Sequence, residues 1–213
     1  MQIQRTANAG VLLEMDGKRI LLDGVCQGVG PYLPTPQSIY TMLQQQPPDA
    51  LVYTHNHPDH YDGLFTSYYL QNTAGPVIGP ADIPWVTAQS CTLANIQITS
   101  VQTRHIGKTD GCLHHSYVLQ GSQCVWFLGD ASLLHWQKNA DVPRPDVIVA
   151  PFGFLLGRGW EYCRQVGAKT VVVVHMPLRE NDPYDLWLQL EQSLANPVGL
   201  QVVIPEIGQS VNL

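Results

Sequence analysis

The chain reads as an α/β (α+β) protein built from two β-sheets with helices outside them. Two patterns predict this. The first half is rich in short strand-like runs joined by tight turns, and the second half interleaves short valine-rich strands with helical stretches. A third observation says where such a fold would open: His and Asp residues stand directly after predicted strands, and strand ends on one side of a sandwich converge on one cleft. The 213 residues fit a single domain, 1–213, with enough apolar sequence (45%) to bury a core.

In order, residues 2–6 alternate as a first strand. Val11–Met15 and Arg19–Leu22 flank Asp16-Gly17, a hairpin signal closed by Asp23. Residues 24–34 are rich in Gly and Pro and read as a loop. Thr35-Pro36 reads as N-cap and first helical residue of a helix to about Gln45, stopped by Pro47-Pro48. An apolar strand at 50–54 follows. Asp62 caps a helix over roughly 63–71. Residues 76–79 suggest a short strand and 81–90 a short helix interrupted by Pro84.

Ile96–Arg104 alternates apolar with polar and ends at His105. A polar loop at 107–113 precedes strands at 116–119 and 124–128, the second followed by Gly129-Asp130. Val147–Ala150 is a strand and Glu161–Val166 a helix. Thr170–Val174 is a buried strand ending at His175. Asp182-Pro183 opens a helix to about Leu194, with Leu186, Leu190 and Leu194 on one face. Strands at 202–204 and 211–213 close the chain.

Charge excludes some functions. Charged residues are only 13% of the chain, the net charge is −6, and no basic stripe occurs. Electrostatic capture of nucleic acid is not expected, and a small molecule is the expected partner; a homo-oligomer is left open. The N-terminus has neither a basic start nor a long apolar run, and no stretch approaches a membrane span, so a cytoplasmic protein without membrane attachment is expected. The five Cys are scattered and odd in number, which suits reduced thiols.

The chemistry centres on Thr54-His55-Asn56-His57-Pro58-Asp59-His60. Four ligand-type side chains, His55, His57, Asp59 and His60, occupy one strand-to-helix loop. Residues i and i+2 of an extended segment project to one side, so His55 and His57 can reach one point. Asp59 and His60, past the turn, can reach a second point nearby. Imidazole and carboxylate are ligands of zinc, iron and manganese. Further ligands must come from elsewhere, and His105, Asp130 and His175 each follow a strand. Three histidines, His105, His114 and His115, compete for one position. His105 ends its strand as His55 and His175 do. His114 and His115 open the next strand, whose direction is opposite if the two pair. Position favours His105 and leaves His115 an orienting or rim role.

The order His-x-His-x-Asp-His, then His, then Gly-Asp, then His resembles the motif set of the metallo-β-lactamase superfamily across nearly the whole chain. His115-Ser116-Tyr117 also resembles a His followed by Ser-x-Tyr-like residues in some relatives. The resemblance implies a four-layer αβ/βα sandwich of two mixed sheets with helices on the outer faces. It implies two divalent metal ions, zinc first with Mn or Fe as alternatives. His55, His57 and His105 would hold one, and Asp59, His60 and His175 the other, with Asp130 bridging. Asp23 matches the first motif and would orient ligands, as would His115. Asp59 would also serve catalysis.

The chain departs from several branches. Class B β-lactamases lack the bridging aspartate. Glyoxalase II adds a C-terminal domain for which there is no room after residue 175. Long tRNA-processing members add a basic exosite not found here. The chain looks most like the small lactonase-like hydrolases. The implied function is hydrolysis of a lactone, thioester or phosphodiester by a bridging hydroxide. An iron-dependent oxidoreductase and a non-catalytic metal-binding module are the alternatives; the flavodiiron type places Glu where His57 stands. Arg158, Tyr117 and Arg104, beside predicted site loops, are candidates to hold an anionic substrate, and Phe152, Phe154 and Trp160 to wall a pocket.

Overall fold

Alternation along each strand sorts its apolar side chains onto two faces, and here both faces are covered. Val125 and Phe127 point one way and Trp126 and Leu128 the other; Val172 and Val174 oppose Val171 and Val173 in the same manner. Strands buried on both sides must lie between layers. The computed structural model describes residues 1–107, 111–138, 141–195 and 199–213 and shows this layering.

The first sheet has six strands in the order β13-β1-β2-β3-β4-β5. These are β1 (Gln2–Arg5), β2 (Val11–Met15), β3 (Lys18–Leu22), β4 (Ala50–Val52), β5 (Val77–Ile78) and β13 (Ser210–Asn212). The second has seven, in the order β12-β11-β10-β9-β8-β7-β6. They are β6 (Cys91–Leu93), β7 (Ile96–Thr103), β8 (His114–Gln120), β9 (Cys124–Phe127), β10 (Val147–Pro151), β11 (Thr170–Val174) and β12 (Gln201–Val203). Each is mixed: β3, β4 and β5 run parallel, as do β9 to β12; the other pairs are antiparallel, hairpins except for β1 with β13, which joins the two ends of the chain.

Leu13, Ile20, Val52, Tyr117, Phe127 and Val172 belong to the cluster between the sheets. Outside the first sheet, Leu12, Leu21 and Leu51 pack with Ile39 and Leu43 of α1 (Gln37–Gln45) and Phe65 and Tyr69 of α2 (Gly63–Asn72). Outside the second lie α3 (Leu133–Trp136), α4 (Phe152–Leu155), α5 (Gly159–Gln165) and α6 (Leu186–Ser193), which contribute Trp136, Phe152, Trp160 and Leu190 to its cluster. The fold is the expected four-layer sandwich.

Several local expectations hold for their stated reasons. Asp16 and Gly17 both have positive φ, as a two-residue hairpin turn requires. The Asp62 carboxylate accepts the Phe65 N–H and caps α2. Others need correcting. No helix forms over 81–90. Pro80 and Pro84 break it, and Ala88 instead bridges to Ile78 before β6, a strand the sequence did not announce. Thr35 does not cap α1; its hydroxyl accepts the Cys26 N–H, and Pro36 takes the cap position. The helix expected from Asp182 starts at Leu186, with the Asp182 carboxylate accepting the Trp187 N–H. On α6, Leu190 is buried but Leu194 is exposed. Part of the loop expected at 107–113 lies outside the described residues. The cysteines are free thiols, and no described helix is long and apolar enough to cross a membrane.

Candidate metal centre

Parallel strands align their C-terminal ends, and those ends carry the His and Asp residues. Asp23 follows β3, His55 and its neighbours follow β4, Asp130 follows β9 and His175 follows β11. The two sheets are tied along this edge: His115 N–H donates to the Thr54 carbonyl at 2.9 Å and the Tyr117 hydroxyl to the Tyr53 carbonyl at 3.1 Å. His105 joins through a bridge to Ala131 and the bond from Ile106 N–H to the Asp130 carbonyl.

Three groups of side chains there could hold a cation: His55, His57 and His105; Asp59, His60 and His175; and Asp23, His55 and His60. The third group shares its histidines with the others. Its carboxylate faces away from the cleft, bonded to Thr54 and to His60 Nδ1. The first two face each other across Asp130. Asp130 Oδ2 lies 3.4 Å from Nε2 of each of His60, His105 and His175. Asp59 Oδ2 lies 3.2 Å from His175 Nε2. Nε2 of His60, His105 and His175, and Asp130 Oδ1, are buried without a hydrogen-bond partner among the described residues. Orphaned buried donor atoms of this kind are costly unless something fills the space between them. A set of imidazoles and carboxylates fits divalent zinc, iron or manganese.

Three of the imidazoles are aimed by their other nitrogen. His60 Nδ1 donates to the fully buried Asp23 carboxylate at 2.8 Å. His55 Nδ1 is 2.9 Å from the Thr54 hydroxyl, which donates to Asp23 at 2.6 Å. Asp23 therefore orients His60 directly and His55 through Thr54. His105 Nδ1 donates to the Ile106 carbonyl. His55 Nε2 and His57 Nδ1 face each other at 2.9 Å. The close approach of strand ends is bought by Gly129, whose φ is 52°; a Cβ there would sit 2.5 Å from Thr54 Cγ2.

Electrostatics agree with a site built for positive charge. Burial disfavours an imidazolium at His60 and His175, yet the Asp130 carboxylate and its hydrogen bonds outweigh it, raising His60 well above the usual range and His175 to about 9. Burial opposes ionisation of Asp130 too, but the charges of His175 and His60 hold it well below the carboxylate range. At His55, burial and the neighbouring histidines push the pKa well down.

Some contributors were not apparent in the sequence. Asn8, in the loop between β1 and β2, donates to Asp59 Oδ2 at 3.3 Å, and its carbonyl accepts the His175 N–H. Arg5 is 3% exposed and spends its guanidinium on the carbonyls of Ala7, Asn8, Met176 and Pro205, pinning that loop to the segment after His175. His114, a candidate for the third ligand position, takes a role its position did not suggest. Antiparallel register pairs Thr103 with His114, so the start of β8 lies beside the end of β7 rather than across the sheet. Its ring is 5.1 Å from that of His55. Both nitrogens are engaged inside the protein: Nε2 accepts the Asp130 N–H at 3.0 Å and Nδ1 donates to Thr103 at 2.8 Å. Burial pushes it down to about 3, so it stays neutral. His114 thus braces Asp130, while His105 meets His55 and His57.

Other candidates lie elsewhere. Tyr117 cannot reach a substrate, because it is fully buried with its hydroxyl spent on Tyr53. The Arg158 side chain is 79% exposed and paired with Glu161; Arg104 is exposed at the end of β7. His115 contributes its backbone tie; its Nδ1 is buried without a partner among the described residues. Phe154 and Trp160 are core, but Phe152 lines a cavity of ≈ 170 Å³ beside Asp130 and His175.

The sequence model of the β-lactamase superfamily domain matches residues 2–175. No curated protein matches the chain significantly. Among solved structures, a possible metal-dependent hydrolase from Veillonella parvula superposes with a TM-score of 0.74 at 18% identity, covering 100% of this chain and 99% of that one. An isothiocyanate hydrolase from Delia radicum gut bacteria gives 0.70 at 16% identity, with 100% and 99% covered. A diiron β-hydroxylase from Streptomyces venezuelae, CmlA, gives 0.68 at 14% identity, covering 100% of this chain and 54% of its own.

Proposed function

The chain belongs to the metallo-β-lactamase superfamily, and from that premise we propose that it is a hydrolase holding two divalent cations, zinc by first expectation, and cleaving an ester-like bond. His55, His57 and His105 would hold one cation and Asp59, His60 and His175 the other, with Asp130 between the two groups. The observation that carries this reading is the arrangement around Asp130 Oδ2, 3.4 Å from three unpartnered imidazole Nε2 atoms belonging to both groups.

Cations bound there supply Lewis acidity and water of lowered pKa, so that a nucleophile exists at neutral pH. The chain's own residues do the rest. Asp23 and Thr54 keep the protons of His60 and His55 on the nitrogens facing away from the cleft. His114 and Ile106 hold the Asp130 backbone from both sides. Asp59, steadied by Asn8, is the carboxylate placed to accept a proton from the attacking water and return it to the leaving group.

The test is metal analysis and anomalous scattering on protein purified without added metal. It is followed by assays on a lactone, a thioester, an aryl ester, a phosphodiester and, given the likeness to an isothiocyanate hydrolase, a small isothiocyanate. Two metals per chain and chelator-sensitive turnover of at least one substrate are expected. Fully loaded protein inert toward all of them would overturn the reading. A second reading has one support: the fold is shared with a diiron β-hydroxylase, and imidazole and carboxylate also suit iron. It predicts iron-dependent oxygen consumption, which hydrolysis does not need.

A further inference from the structure

We propose that the substrate carries a compact, uncharged, apolar group of about the size of a benzene ring, seated in the cavity beside Asp130 and His175. This rests on the hydrolase reading and narrows it from any ester-like bond to neutral carbonyl compounds with a small apolar substituent.

The cavity measures ≈ 170 Å³. A cavity of about 150 Å³ lined by aliphatic and aromatic side chains holds one benzene, and pockets for drug-sized ligands begin at about 300 Å³. One ring, or an aliphatic chain of similar bulk, fills it. Its walls are Tyr32, Ile106, Phe152, Leu156 and Leu186, while Asp130 and His175 supply its polar end. A substrate bound here has its apolar part against α4 and the start of α6, and its reacting group at the ligand cluster.

Charge argues in the same direction. Among the described residues lining the cavity there is no Lys or Arg. Of the two arginines nearest along the chain, Arg158 is exposed and paired with Glu161, and Arg104 is exposed after β7. Tyr32 packs edge-on against His175 with ring centroids 4.5 Å apart. Its ring forms one wall of the cavity beside that imidazole. A carboxylate or phosphate tail seated against these apolar walls would lose its hydration and find no Lys or Arg among the described lining residues, a cost that apolar contact there cannot offset.

The experiment uses the metal-loaded full chain and matched substrates. One pair is a butyl-substituted γ-lactone and the same lactone with a carboxylate ending the side chain; a bis-aryl phosphodiester is the third probe. The neutral lactone should exceed the other two in kcat/KM by at least ~100-fold, since one mismatched methylene already costs up to about that much and an unpaired charge costs more. Leu156 is 45% exposed at the cavity wall, so Leu156→Lys should fold. It should narrow the neutral-to-carboxylate ratio by ~10-fold or more. If the carboxylated lactone or the phosphodiester is turned over as well as the neutral one, or Leu156→Lys leaves the ratio unchanged, this inference alone is overturned and the hydrolase reading stands. If no probe is hydrolysed, this inference falls, and the thioester, aryl ester and isothiocyanate assays decide the hydrolase reading.

Discussion

Replacing Asp23 by Asn exchanges one oxygen for an amide group and changes almost no volume. Asp23 is 0% exposed, and each of its contacts is defined. Oδ1 accepts the Thr54 N–H at 2.8 Å; Oδ2 accepts the Thr54 hydroxyl at 2.6 Å and His60 Nδ1–H at 2.8 Å. The Asn carbonyl can keep the first bond. Its NH₂ must then face Thr54 and His60, and His60 can meet it only by moving its proton from Nδ1 to Nε2. Nε2 is the atom aimed at Asp130 and Asp59, at 3.4 and 3.8 Å. The substitution therefore puts a hydrogen where a cation should bind. Two bonds to a charged acceptor are lost, each worth about 1.5–3 kcal/mol, and amide bonds recover part of that. Loss of such an outer partner typically weakens metal binding ~10–100-fold, or about 1.4–2.7 kcal/mol. The weakening should fall mainly on the cation held by Asp59, His60 and His175. Competition against a chromophoric chelator resolves the two equivalents, with circular dichroism as the check on folding. If Asp23→Asn binds both equivalents as tightly as the unaltered chain, Asp23 does not set the His60 proton and the account of the site is wrong.

Asp130→Ala should lose both tight metal binding and activity, because both ligand groups meet that carboxylate; metal retention equal to that of Asp23→Asn would show the shared ligand to be misassigned. Gly129→Ala places a Cβ 2.5 Å from Thr54 Cγ2 at a φ of 52°. Left-handed strain of about 1–2 kcal/mol plus overpacking of about 1–3 kcal/mol should lower Tm by roughly 5–15 °C, and an unchanged melt would refute the close approach. In the metal-free chain His175 is raised from 6.5 to about 9, so the stability it contributes is fully present below pH 6.5 and fades as pH rises through about 9. Urea midpoints should fall over that window while metal affinity rises, because cation and proton compete for Nε2; a metal affinity that is flat with pH would contradict it. His114→Phe should leave the Asp130 N–H buried and unpartnered, costing about 1–3 kcal/mol in denaturant unfolding while His105 still binds metal.

The candidate ligands within residues 54–62 could be read directly, because their spacing is local. Spacing along an extended segment puts His55 and His57 together, and Asp62 caps the helix that follows through a contact three residues away. His105, Asp130 and His175 could be placed because each terminates a run whose apolar pattern marks a buried strand, and parallel strands end on one side. What the chain alone did not decide is whatever depends on register or on which groups are already spent. His114 opens its strand, and the antiparallel pairing of Thr103 with His114 puts that end beside the site. Tyr117 carried a plausible hydroxyl, but the sheet-to-sheet contact with Tyr53 consumes it. Asn8 and Arg5 show nothing unusual in sequence, yet the return of β1 against β2 and the segment after β11 makes one a brace for Asp59 and the other the anchor of its loop. The candidate ligands followed from residue type and spacing; the orientation of His60 by Asp23, the bracing of Asp59 by Asn8 and the apolar cavity beside them came from tertiary packing, because those partners lie on segments far apart in sequence.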